Sequence, residues 1–148
     1  MRLWRISEWT TLDGEGGKLF GGRWNHAGRP VVYTAESSAL AILEVLVWRS
    51  RGVLPPPFQL LEIDAPDDVA VTHWPDDQNH RDKRLTADWG DAFLRAAATP
   101  LARVPSAVAP ASWNYLLNPL HPDAARVELV RAGRWPWDAR LFGTPSTR

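Results

Sequence analysis

Few side chains in this sequence are placed to do chemistry. Glu44 is the clearest, as the one charged or polar side chain between residues 39 and 48. A carboxylate in so apolar a run needs a cationic partner or a water-lined pocket. A buried ion pair with an arginine and a functional carboxylate carry equal weight on this ground alone. Arg23 follows Gly21-Gly22. The glycines remove bulk where a ligand phosphate must come close, and the guanidinium fork grips phosphate or carboxylate at two points. A solvent-facing hairpin arginine would read the same way. Tyr33, in Val31-Val32-Tyr33, can stack on a flat ligand and donate a hydrogen bond, or serve as a core tyrosine. Ser106 lies in Val104-Pro105-Ser106-Ala107-Val108, outside the Gly-x-Ser-x-Gly frame of a nucleophile elbow. No histidine stands at a recognisable base spacing from it, so a ligand hydrogen bond or a turn suits it better than nucleophilic attack.

Several chemistries are absent from the sequence. His26, His73, His80 and His121 make no His-x-His or His-Glu-x-x-His pattern, and Asp76, Asp77, Asn79, His80 and Asp82 do not follow calcium-loop spacing. That cluster reads as a solvated loop, and no metal site is expected. There is no Walker A motif and no Gly-x-Gly-x-x-Gly after a strand. The chain has no cysteine, which removes disulfides, thiolate chemistry and Cys-ligated zinc and fits a reducing compartment.

The elements that must position these residues can be read coarsely. Residues 3–6 read as a first strand and 13–17 as a glycine-rich loop. Residues 19–24 and 31–35 read as a hairpin turning near Ala27 and Gly28, which sets Arg23 across from Tyr33. Ser37 or Ser38 caps a helix over 39–48 that is apolar all round, hence buried, and stops before Gly52 and Pro55-Pro56-Pro57. A strand over 58–63, a polar segment over 76–84 and a helix over 88–98 follow. Residues 100–110 are extended or looped, and 113–117 form a short helix or turn ended by Asn118-Pro119. A strand over 126–131 and a last edge at 140–142 complete the chain. Strands and helices mix without regular βαβ alternation, so the fold class is α+β.

The chain has 148 residues, of which 45% are apolar, enough for one domain with a real core. Lys+Arg and Asp+Glu both number 17, so the basic excess of a nucleic-acid binder is missing and no direct nucleic-acid partner is expected. No stretch approaches the roughly 20 apolar residues of a membrane span, and no signal-like apolar run follows Met1-Arg2-Leu3-Trp4-Arg5-Ile6. The expectation is a soluble, cytoplasmic protein with no membrane partner. The nine tryptophans chiefly suit packing. They also allow a second class of reading, a non-catalytic aromatic module for sugar or single-stranded nucleic acid.

Taken in order, a set of strings resembles the RES-domain family, the toxins of RES–Xre toxin–antitoxin systems. They are Trp4-Arg5-Ile6, Gly21-Gly22-Arg23-Trp24-Asn25, Gly28-Arg29-Pro30-Val31-Val32-Tyr33-Thr34-Ala35 and Leu40-Ala41-Ile42-Leu43-Glu44-Val45-Leu46. Further on stand Val104-Pro105-Ser106, Asn114-Tyr115-Leu116-Leu117-Asn118-Pro119 and Trp137-Asp138-Ala139-Arg140-Leu141-Phe142. Residues 76–98 carry no such string. The resemblance implies a single domain over 1–142 with an ADP-ribosyltransferase-like fold, followed by a tail over 143–148. It implies an active site of Arg23, Tyr33, Glu44 and Ser106, with Arg5, Gly22 and Asn118 joining Arg23 and Tyr33 as NAD-binding residues. It also implies an enzyme that consumes NAD as substrate, needs no cofactor and arrests growth. A helix-turn-helix antitoxin of Xre type would be its partner in a hetero-oligomer.

The chemistry of NAD fits such a site. Nicotinamide leaves a cationic pyridinium as a neutral molecule, so no general acid is needed, and the ribose becomes oxocarbenium-like. A carboxylate at Glu44 stabilises that charge or orients the ribose hydroxyls. Arg23 would hold the pyrophosphate, Tyr33 would pack on the nicotinamide or its ribose, and Ser106 would hydrogen-bond the same end. Water as acceptor makes a glycohydrolase, inorganic phosphate as co-substrate makes a phosphorylase, and a cellular protein makes an ADP-ribosyltransferase. The sequence leaves the three open.

Overall fold

The computed structural model describes residues 1–49 and 53–143. Gly52, read as part of a helix stop, and residues 144–148 of the expected tail lie outside the described residues.

The frame is one seven-stranded sheet. Its strands are β1 (Arg2–Ile6), β2 (Val32–Ala35), β3 (Phe58–Asp64), β4 (Val71–His73), β5 (Leu101–Pro105), β6 (Trp113–Leu117) and β7 (Glu128–Trp135). Their spatial order is β4-β5-β6-β2-β1-β3-β7. Every neighbouring pair is antiparallel except β4 and β5. Among the described residues three α-helices join them: α1 (Glu15–Phe20), α2 (Ser38–Leu46) and α3 (Lys83–Ala96). The α+β class is the one expected.

Consecutive residues divide between two cores, because successive strand side chains face opposite ways. Val32, Leu101 and Leu117 join Leu3, Leu61 and Ile63 in one cluster. Val31, Ala102 and Leu116 join Trp24, Trp74 and α3's Phe93 and Leu94 in the other. A smaller cluster of Ala35, Leu40 and Ala41, with Trp4 and Ile6 against it, seats α2 on the sheet. Trp24, Trp74 and Trp89 meet edge to face, with centroids 5.0–5.8 Å apart, a packing that favours aromatic pairs. These three tryptophans therefore fill an interior.

Several expectations change. The glycine-rich run at 13–17 and the first hairpin strand become α1 and a tight loop closed by a Gly22–Asn25 bridge. A Cβ on Gly17 would lie 2.5 Å from the Val31 carbonyl oxygen, so tertiary packing, not helix propensity, decides that segment. β2 pairs with β1 and β6 instead of a hairpin partner. Residues 113–117 are a strand, and 139–142 are a turn of 3-10 helix, not an edge strand. Finally, α2 is not buried all round. Its buried residues are Leu40 and Ala41, while Leu43 is exposed, as are Val47 and Trp48 just beyond the helix.

Candidate active site

A cleft of about 730 Å³ opens where β1, β2, the 21–24 loop and α2 meet. Arg5, Gly22, Arg23, Tyr33 and Glu44 all line it, so the fold gathers five of the seven expected site residues. Asn114 and Arg49, neither of them expected as a site residue from the sequence, line the cleft too. The cleft thus holds three arginines and one carboxylate, a balance suited to an anionic ligand.

Glu44 sits half-buried on α2, which Ser37 caps by accepting a hydrogen bond from the Leu40 amide. Its Oε1 accepts from Ser106 Oγ at 2.8 Å and from Asn114 Nδ2 at 2.7 Å. Among the described residues no cationic group lies within ion-pair distance of it. The ion-pair reading therefore falls away: the carboxylate is oriented by neutral donors and its charge is not cancelled.

Ser106 is buried and does not itself line the cleft. Its oxygen accepts from the amides of Val108 and Ala109, each at 3.1 Å, while its hydroxyl donates to Glu44. Its hydrogen-bonding capacity is taken up by holding a turn and the carboxylate. The expected bond from Ser106 to the ligand has no free group to make it.

Tyr33 and Arg23 meet through a loop instead of across a hairpin. The Tyr33 hydroxyl donates to Asn25 Oδ1 and accepts from the Trp24 amide at 3.1 Å. Burial raises the phenol's pKa, the Trp24 hydrogen bond opposes that rise, and Asp91 adds to it. The group is therefore a neutral donor that braces the loop. Gly22 answers to the same tyrosine: a Cβ there would lie 2.7 Å from its hydroxyl oxygen. The glycine makes room for Tyr33 where the sequence suggested room for a ligand.

Arg23 is held from α3. Thr86 Oγ1 donates to the Arg23 carbonyl at 2.7 Å, and among the described residues the guanidinium reaches only the His80 carbonyl, at 3.5 Å. Arg5 donates to the Tyr33 carbonyl at 2.8 Å. Desolvation lowers the Arg5 pKa, partly offset by the charge of Asp13. Neither guanidinium has a carboxylate within ion-pair distance among the described residues. Both keep donors free for an anion.

Asn118 is not at the cleft. It is buried, its Nδ2 donates to the Leu94 carbonyl near the end of α3, and its Oδ1 accepts from the Leu120 amide. Its carboxamide ties a helix end to the turn after β6. No group of metal-ligating side chains gathers among the described residues.

Known proteins share this sequence and shape. A family model described as the RES domain matches residues 2–138. A Pseudomonas putida protein named Toxin Res is 42% identical over 146 residues, covering 96% of this chain and 100% of its own length. A Sphingobium protein named Prs ADP-ribosylating toxin is 34% identical, covering 95% of this chain and 96% of its own. A chain in the crystal structure of the M. tuberculosis MbcT–MbcA toxin–antitoxin complex superposes with a TM-score of 0.74 at 20% identity, over 91% of this chain and 84% of that one. At that identity the likeness concerns the fold alone, which this chain shares with that one over nearly its whole length.

Proposed function

This chain belongs to the RES-domain family, and on that premise we propose that it is the toxin of a toxin–antitoxin pair and breaks the nicotinamide–ribose bond of NAD. The observation that carries the reading is the cleft itself, with one carboxylate, oriented but not neutralised, beside three arginines. Such a site suits a substrate that is anionic along its pyrophosphate and becomes cationic at one ribose as it reacts.

Arg23 and Arg5 take the pyrophosphate, with Arg49 at the same cleft. The Tyr33 ring packs on the nicotinamide or its ribose while its hydroxyl stays with the loop. Glu44 faces the ribose as positive charge develops there, and a fixed carboxylate in a partly dehydrated site stabilises that charge without reorganising. The pyridinium departs with the bonding electrons and becomes neutral nicotinamide, so no residue has to protonate it. No resident cofactor enters this scheme. No helix among the described residues is long and apolar enough to cross a membrane.

The acceptor at the ribose is water or inorganic phosphate, giving a glycohydrolase or a phosphorylase. A second reading, transfer of ADP-ribose to a cellular protein, draws on the relative named Prs ADP-ribosylating toxin. Incubation with NAD alone, with phosphate and with added cellular protein tests both. Free ADP-ribose marks water, a phosphorylated ADP-ribose marks phosphate, and nicotinamide release only on addition of a protein marks transfer. No nicotinamide under any of the three conditions refutes the enzyme and leaves the non-catalytic module.

A further inference from the structure

Asn114 lies on β6 opposite Ala35 of β2 and lines the cleft. Its Nδ2 and the Ser106 hydroxyl both donate to the same oxygen of Glu44, Oε1. Oε2 receives no hydrogen bond from any described residue. The other end of the Asn114 carboxamide is unusual: its Oδ1 is buried and has no partner among the described residues. A buried acceptor left unpaired is destabilising. Turning the amide over would set its oxygen against the carboxylate, so the contact with Glu44 fixes the orientation that leaves Oδ1 unpaired. An apolar residue here would avoid the penalty. Lysine or arginine would hold Oε1 more tightly but would neutralise the charge.

We propose that Asn114 is a positioning residue: together with Ser106 it pins Glu44 Oε1, so that Oε2 is the oxygen offered to the substrate's cationic ribose, with its charge intact. This rests on the reading of Glu44 as the stabiliser of that ribose. Asn114 acts through Glu44 and needs no contact with NAD.

The test is a cycle of Asn114→Leu and Glu44→Gln in the full chain, reading kcat and KM for nicotinamide release and the thermal midpoint. Leucine is close in size and removes both the donor and the unpaired carbonyl. Asn114→Leu should lower kcat about ten- to a hundredfold, leave KM within about twofold, and melt no lower than wild type. In the Glu44→Gln background it should cost less than about twofold more, because residues acting as a unit are not additive. Equal losses in both backgrounds, or a fall in melting temperature that tracks the loss of turnover, would overturn the proposal. If Asn114→Leu does not fold, Asn114→Ala carries the same cycle. Full turnover in Glu44→Gln removes the reading of Glu44 and the role of Asn114 with it. A slow Glu44→Gln beside a fast Asn114→Leu removes the role of Asn114 alone.

Discussion

Glu44→Gln keeps the shape of the side chain and can still accept from Ser106 and Asn114, so only the charge is lost. Turnover of NAD should fall by about two orders of magnitude, with NAD affinity little changed, since the charge matters mainly once the bond begins to break. No cation faces Glu44 among the described residues. The variant should therefore escape the roughly 3–5 kcal/mol loss that follows breaking a buried ion pair, and its melting curve should overlay that of wild type. Full turnover would exclude Glu44 from the mechanism. Arg23→Lys keeps a positive charge but loses the two-point fork. Titration with NAD should show weaker binding by about tenfold, a loss of about 1.4 kcal/mol, in a folded protein, and unchanged affinity would remove the pyrophosphate role. Glu44 was legible in the sequence because one charge in an apolar run has to be explained. The work of Ser106 and Asn118 was not, because a hydroxyl or carboxamide takes its meaning from partners that lie far along the chain. Ser106 bonds to residue 44, and Asn118 to residue 94.

At the scale of elements, α3 sets the loop that carries Arg23. Thr86 holds the Arg23 carbonyl, and Asp91 accepts from the His26 amide at 3.0 Å. Between them Gly90 meets the Trp24 backbone so closely that an added Cβ would fall 1.6 Å from its carbonyl oxygen. Helix propensity favours Gly90→Ala by about 1 kcal/mol, but the clash opposes it, and overpacking typically costs about 1–3 kcal/mol or more. The clash should win. Gly90→Ala should melt several degrees below wild type and bind NAD more weakly as the loop is pushed outward. A higher melting temperature would mean that α3 is free to move away. None of this coupling could be read from the sequence, where residues 76–98 carried no recognisable string. The helix was expected from 88, yet it begins at Lys83 under the side-chain cap of Asp82. β6 was misread for a related reason. Leu116 and Leu117 are both buried, one on each face of the sheet, so the strand lacks the alternation that marks a half-buried strand. β1, β2, β3 and α2 carry clearer patterns, and they were placed within a residue or two.

For the whole molecule, induced expression of this chain alone in bacteria should lower cellular NAD before growth stops. Arrest with a normal NAD pool would point to a different target. An Xre-type antitoxin encoded beside it should neutralise it by closing the cleft, and turnover that persists in the complex would rule that route out. The order of the sheet bears on when such a partner is needed. β1 is made first yet lies between β2 and β3, and the other neighbour of β2 is β6, which begins only at Trp113. Arg5, Arg23, Tyr33 and Glu44 have all been synthesised long before the strand that backs them exists. Pairing across such long sequence separations comes late in folding. A chain that has not yet reached Trp113 therefore lacks the strand on which the proposed site depends. Chains cut short before Trp113 should turn over no NAD and, on the proposed function, should yield products that cells tolerate.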